Sequence, residues 1–183
     1  FEKLFASANN IVGDKETKFC VLRYGNVFKS RGSVVPLFLE QSKTNKFTVT
    51  DSQMTRFNLT LDSAINFVLN CSSKMIGGEI FVPKLKSFRV TDLAKCINPA
   101  VKIKIIGIRP GEKLHEDLIT ITDSPNTYDI GPYYAILMKD SKKLISYYKR
   151  KKFKKVENNF SYNSKNNEKF LNVEELRKLI KNL

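Results

Sequence analysis

One histidine, three cysteines and no apolar stretch approaching a membrane span are the first limits set by this 183-residue chain. A spanning helix needs about 20 consecutive apolar residues, and no secretory leader opens the chain, so the expectation is a cytoplasmic protein. Cys20, Cys71 and Cys96 are odd in number, far apart and set in apolar or helical stretches. They read as buried thiols of a reducing compartment, without the C-x-x-C pairing of a redox or metal motif. His115 has no Cys or His at ligand spacing, so no metal is expected and the residue reads as structural or as part of a rim. Acidic residues are also few: 18 Asp+Glu stand against 32 Lys+Arg, giving a formal net charge of +14.

That excess favours anionic partners such as nucleotide phosphates, nucleic acid or anionic lipid, without choosing among them. Much of it sits between Lys139 and Lys155, where lysines and Arg150 are interleaved with Tyr147, Tyr148 and Phe153. No nucleic-acid module surrounds the run, so it reads as a solvated basic segment, with nucleic-acid binding as a rival class. A content of 42% hydrophobic and 27% charged residues excludes disorder throughout and suffices for a core. The chain lacks an initiator methionine, and Phe1, Leu4, Phe5 and Ala8 fall on one helical face with no capping residue before them. The expectation is a fragment that begins inside a helix.

Lys18 to Leu22 reads as a strand, and Val34 to Lys43 as a helix with Ser33 as candidate cap and Val34, Leu37, Phe38 and Gln41 along one side. Phe47 to Thr50 reads as a strand leading into a polar elbow through Arg56. After Thr60 comes an amphipathic helix with Leu61, Ala64, Ile65, Val68 and Leu69 on one face, broken by Gly77-Gly78. Strands are expected at Glu79–Val82, Lys102–Ile106 and Tyr133–Met138. A helix opens at Thr91-Asp92, and another, capped by Asn172, carries Leu176, Leu179 and Ile180. Strands and helices alternate without internal repeats, which makes the class α/β.

Three segments carry candidate chemistry. Arg23-Tyr24-Gly25-Asn26 through Gly32-Ser33-Val34 places glycines, an amide and Arg31 in a turn after a strand, at the end of the sheet where α/β proteins keep ligands. Thr50 with Met54-Thr55-Arg56-Phe57 is the second; Arg56 reads either as a phosphate donor or as the partner of a nearby carboxylate. In Arg109-Pro110-Gly111-Glu112-Lys113, Pro and Gly form a tight turn, and Glu112 can orient a guanidinium or open a helix. Arg31, Arg56 and Arg109 are thus expected to converge on a diphosphate, whose charge suits planar bidentate donors.

These segments, together with Gly77-Gly78-Glu79-Ile80-Phe81-Val82 and Ile106-Gly107-Ile108-Arg109-Pro110-Gly111-Glu112-Lys113-Leu114-His115-Glu116, resemble the extended short-chain dehydrogenase/reductase superfamily. Within it they look like the inverting UDP-N-acetylglucosamine 4,6-dehydratases of pseudaminic-acid synthesis. The resemblance implies the carboxyl-terminal part of a Rossmann-type doubly wound sheet plus a smaller α/β substrate-binding domain. Residues 1–33 would close the NADP-binding domain, 34–138 would mainly hold the sugar nucleotide, and 139–183 would be a basic tail and terminal helix. It implies NADP as cofactor, along Val27, Phe28, Lys29, Ser30 and Arg31. UDP-N-acetylglucosamine would meet Asn26, Val34, Thr50, Arg56 and Arg109, with Glu112 as ribose or arginine partner. A homo-oligomer is implied for the full-length enzyme. Lys29 departs from the pattern, which has small residues there. The family's glycine-rich loop does not occur in these 183 residues, and Tyr147 with Lys151 has the Tyr-x-x-x-Lys spacing but sits in the basic tail without the strand-helix context of the family's pair, so no catalytic residue is expected in this chain and inactivity alone is. A related epimerase or a retaining dehydratase would share Asn26, Arg56 and Arg109.

Overall fold

Short apolar runs build strands such as Glu79–Pro83 and Tyr133–Leu137, and longer amphipathic stretches build the helices. The computed structural model describes residues 1–138 and 141–181. In chain order it contains α1 (Glu2–Ser7), β1 (Val21–Leu22), α2 (Val34–Gln41), β2 (Lys46–Val49), β3 (Thr55–Asn58), α3 (Leu61–Lys74), β4 (Glu79–Pro83) and β5 (Lys86–Arg89). There follow α4 (Val90–Ile97), β6 (Lys102–Ile105), β7 (Asp117–Ile119), β8 (Thr127–Asp129), β9 (Tyr133–Leu137), α5 (Lys142–Arg150), β10 (Lys154–Lys155), β11 (Tyr162–Asn163) and α6 (Val173–Lys181). The chain divides into two units: Phe1–Tyr24 with Asp62–Lys84 and Leu118–Tyr162, and Gly25–Leu61 with Leu85–Asp117 and Asn163–Leu183.

The first unit is built on a five-stranded sheet in the order β1-β4-β9-β8-β10. Only β1 and β4 run parallel, with Val21 opposite Ile80; β4, β9, β8 and β10 continue antiparallel. The short connection from Asp129 to Tyr133 permits nothing else, because parallel neighbours need a crossover of a dozen residues or more. The sheet core gathers Phe67, Cys71, Phe81, Leu137, Leu144 and Tyr148. Glu79 is fully buried, and its two carboxylate oxygens accept N–H bonds of 2.8 Å from Ile76 and Gly77. Gly77 sits at φ +115°, and a Cβ there would lie 2.4 Å from the Asn9 side chain, which itself bonds both backbone groups of Phe19. Glycine is required at that close approach. Arg23 binds Glu2 and, at 2.8 Å, Asp123. Burial alone would raise the Asp123 carboxyl pKa, but the bonds and charge of Arg23 outweigh it and hold the value below the usual one.

The stretch expected to be a solvated basic segment instead forms α5 and β10. Leu144 and Tyr148 are buried, and Tyr148 packs on Tyr128 and Phe153 at ring distances of 5.5 and 5.4 Å. The lysines surround an aromatic core; Lys139 lies outside the described residues. Lys154 and Lys155 occupy the outermost strand, where lysines discourage edge-to-edge pairing.

The second unit contains a parallel pair, β2 with β6, and an antiparallel pair, β3 with β5. β3 corrects the expected elbow: Met54 to Phe57 runs into a strand with Arg56 opposite Phe88. The core of this unit joins Phe38, Phe47, Val49, Phe88, Leu93 and Leu176. At α6 the capping expectation holds in detail, since Asn172 Oδ1 accepts from Glu175 N–H and Glu175 Oε2 accepts from Asn172 N–H, both at 2.9 Å. That reciprocal pair satisfies two orphan donors of the first turn. No helix among the described residues is long and apolar enough to cross a membrane.

Candidate functional site

A parallel strand pair directs its carboxyl ends to one side, and ligands of α/β folds gather there. In the second unit Thr50 follows β2, Ile106 follows β6, and the Ile106 N–H continues the pairing by bonding Val49 O at 3.0 Å. Both residues line a cavity of about 240 Å³. Its opposite wall is the loop before α2. There Val27 bridges Leu59, the Phe28 N–H bonds Leu59 O at 2.7 Å, and the Phe28 ring meets Phe88 edge-on at 5.8 Å. A bond of 3.1 Å from Ser30 N–H to Val27 O closes a turn that places Lys29 at φ +64°, and a second, of 3.0 Å from Ser33 N–H to Ser30 O, closes the next turn through Gly32 at φ +79°. Ser33 then occupies the N-cap position of α2, as expected, but makes no capping bond, and its buried Oγ has no partner.

Of the residues expected to bind ligand, Asn26, Val27, Phe28, Lys29, Val34, Thr50, Arg56 and Arg109 line this one cavity. Ser30 and Arg31 do not, so the anticipated meeting of three arginines reduces to two. Glu112 is a cavity residue as well. Its Oε1 accepts from Thr50 Oγ1 at 3.3 Å and its Oε2 from the Arg109 N–H at 3.2 Å, while its own N–H bonds Arg109 O at 3.0 Å. It braces the Arg109 turn. The alternative in which it opens a helix fails, because the next element is strand β7. Arg109 enters no ion pair among the described residues.

Arg56 is differently placed. Nη1 donates to Thr55 O at 2.7 Å and Leu114 O at 3.1 Å, Nη2 donates to Lys113 O at 2.8 Å, and Nε lies 3.5 Å from Glu116 Oε1. Burial lowers its pKa, and Glu116 and Glu112 offset that only in part. The carboxylate-partner reading holds, and the guanidinium also lines the cavity.

Behind it, Thr55 Oγ1 lies 2.8 Å from His115 Nδ1 and 2.7 Å from the fully buried Ser164 Oγ, which also accepts the Glu116 N–H at 2.9 Å. His115 lines a second cavity, of about 340 Å³, with Lys113, Asp117, Asn163 and Lys165. Burial, then the charges of Lys165 and Arg56, push its pKa below the usual value. Sequence reasoning passed over Thr48 and Ile106 as cavity residues. Their position in or just after two β-type runs was the available signal, but it carries weight only once those strands are known to be parallel.

Residues 1–138 match the family described as polysaccharide biosynthesis protein. Among similar proteins, a UDP-N-acetylglucosamine 4,6-dehydratase (inverting) of Campylobacter jejuni subsp. jejuni serotype O:2 is 46% identical over 187 residues, covering 98% of this chain and 56% of that protein. A UDP-glucose 4-epimerase of Rickettsia bellii is 42% identical over 193 residues, covering 100% of this chain and 54% of the relative. The X-ray structure of Pen from Bacillus thuringiensis superimposes with a TM-score of 0.81 at 34% identity, over 100% of this chain and 54% of that one. The chain therefore spans about half the length of the relatives it matches, and its fold is α/β of the Rossmann type.

Proposed function

This chain belongs to the polysaccharide biosynthesis protein family, and from that premise we propose that it is the sugar-nucleotide-recognising portion of an NADP-dependent, inverting UDP-N-acetylglucosamine 4,6-dehydratase. The observation that carries the reading is the single cavity shared by Asn26, Val34, Thr50, Arg56 and Arg109. A phosphorylated nucleotide suits it chemically. Arg109 brings a cation without a carboxylate partner, while Met54, Phe88 and Val90 supply apolar lining for a base. At about 240 Å³ the space is below the 300–1,000 Å³ typical of drug-sized ligands, so it takes one end of a sugar nucleotide rather than all of it.

Glu112 holds the Arg109 turn in place before ligand arrives, which lowers the ordering cost of binding. Arg56 holds the carbonyls of residues 113 and 114 and thereby the segment that continues from that turn. Asn26 offers both a donor and an acceptor to the ligand. Binding energy from the UDP end orients the sugar ring for chemistry elsewhere. Val27, Phe28, Lys29, Ser30 and Arg31 are assigned to the cofactor, and of these Val27, Phe28 and Lys29 also line the sugar-nucleotide cavity. The placement of Ser30 and Arg31 outside the cavity that contains Asn26 suits a segment shared between two ligands. A nicotinamide cofactor held along Val27, Phe28, Lys29, Ser30 and Arg31 would supply hydride-transfer chemistry at the sugar ring. The family's Tyr-x-x-x-Lys chemistry is assigned to no residue of this chain, since Tyr147 and Lys151, which have that spacing, belong to the basic helix α5 and its end, and this chain's share is recognition.

The product would feed surface-glycan or flagellin sugar synthesis by a homo-oligomeric cytoplasmic enzyme. The identity to UDP-glucose 4-epimerases supports a second reading, in which the same cavity serves epimerisation. UDP titrated into the chain by calorimetry tests recognition: Arg109→Ala should weaken binding about tenfold to a hundredfold, the scale of a lost charged hydrogen bond. No UDP binding, or binding indifferent to Arg109, overturns the reading. For the full-length enzyme, a dehydrated keto-sugar product favours the dehydratase and a C4 epimer the alternative.

A further inference from the structure

We propose that Lys29 is a phosphate-recognising residue of this site, acting with Arg109 on the diphosphate of the sugar nucleotide. The inference rests on the function proposed above and deepens it. Three cations line the cavity: Lys29, Arg56 and Arg109. Arg56 is committed to three carbonyl oxygens and lies beside Glu116, so little of its donor capacity remains for a ligand. A diphosphate carries more negative charge than Arg109 alone can match. Lys29 enters no ion pair among the described residues. The carboxylate nearest in function, Glu112, is engaged by Thr50 and the Arg109 N–H.

Backbone geometry points the same way. Among the described residues, Lys29, Asn45 and Lys152 are the non-glycine residues with positive φ. Asn45 ends the turn after α2, and Lys152 follows the end of α5, positions where a left-handed residue stops a helix in the ordinary way. Lys29 stops no helix. A left-handed lysine is disfavoured, and here its neighbours impose it: the Val27 bridge to Leu59, the 2.7 Å bond from Phe28 N–H to Leu59 O and the buried Phe28 ring leave the chain no relaxed course. Such enforced conformations cluster at ligand sites. A glycine would make this turn without strain, so the presence of lysine at a cavity wall calls for a role of the side chain.

The test compares UDP and uridine binding by calorimetry in the wild-type chain, Lys29→Gln and Lys29→Gly, at two salt concentrations. Lys29→Gln should weaken UDP about tenfold, leave uridine unchanged and reduce the salt dependence of UDP binding. Lys29→Gly should show the same loss for UDP together with a melting temperature raised by a few degrees, because strain is relieved while the ammonium is lost. If both variants bind UDP as the wild type does while Arg109→Ala does not, the Lys29 assignment is wrong and the proposed function stands. If the wild type binds no UDP, the proposed function falls and this assignment with it. Equal losses for uridine and UDP also overturn it, since they mark a general disturbance of the cavity.

Discussion

Helices α3 and α4, one in each unit, answer the same sequence pattern in opposite ways. In α4 the apolar positions Val90, Leu93 and Ala94 are all buried. In α3 the obvious stripe faces outward: Leu61 is 63% exposed, Ile65 49% and Leu69 62%. The buried face is Ala64, Phe67 and Cys71, with Phe67 edge-on to Tyr24 at 6.2 Å and packed on Tyr133 at 5.1 Å. α3 carries two adjacent apolar stripes, and the one containing the aromatic ring fills the space beside the sheet. Periodicity recognises an amphipathic helix, but when two stripes compete, volume and partners decide which is inside.

Four measurements sharpen or break this contrast. Leu93→Ala, at a fully buried position of α4, should cost about 2–5 kcal/mol in urea unfolding. A loss under 1 kcal/mol would mean that the second unit is loosely packed. Glu79→Gln replaces one of the oxygens that accept N–H bonds from Ile76 and Gly77 with an amide donor. A cost of about 2 kcal/mol is expected, read as a lowered urea midpoint with an unchanged slope.

A smaller effect follows pH. The pKa of His115 is lowered by burial and by Lys165 and Arg56, so folding favours the neutral ring. Its contribution is present above the unfolded value of about 6.5 and is lost as pH falls through that value towards the lower folded one. The urea midpoint should therefore drop between roughly pH 7 and pH 5, and the drop should shrink in His115→Gln. A profile identical in both proteins would refute the assignment. Smallest of all, Leu69→Gln on the exposed stripe of α3 should stay within about 0.5 kcal/mol. A loss above 1 kcal/mol would show that the stripe is covered in solution.

Legibility in the sequence followed the range of the interactions. Short-range signals served well: the Asn172 cap, the Gly77-Gly78 break, strand β6 and helix α2 all lie where local chemistry places them, because caps and turns are decided within four residues. Strands β3, β5 and β8 went unseen. Each is three or four residues long and is held by a partner that local composition cannot reveal, as where Arg56 lies opposite Phe88. Helix α5 was hidden by its charge; Leu144 and Tyr148 are a four-residue pair whose inward face emerges only when a sheet is there to cover it. Most of the candidate site was readable as motifs, yet Arg31 does not line the cavity, and the donors of Arg56 go mainly to backbone carbonyls. A guanidinium's direction depends on the carbonyls and carboxylates around it, and those of Lys113, Leu114 and Glu116 stand far from Arg56 in sequence.

By itself the order of residues determined the α/β class, helix α2 and the Asn172 cap of α6, and the segments 26–34, 50–56 and 109–112 from which residues line the cavity. Propensity, periodicity and turn chemistry act over a few residues, so they can be read in one dimension. Tertiary structure alone decided which stripe of α3 is inside, that Arg56 serves the backbone while Arg109 enters no ion pair among the described residues, and that Lys29 is forced into a left-handed turn beside the cavity. Each of those outcomes depends on which distant groups compete for the same space or the same hydrogen bond, and that competition exists only after the chain has folded.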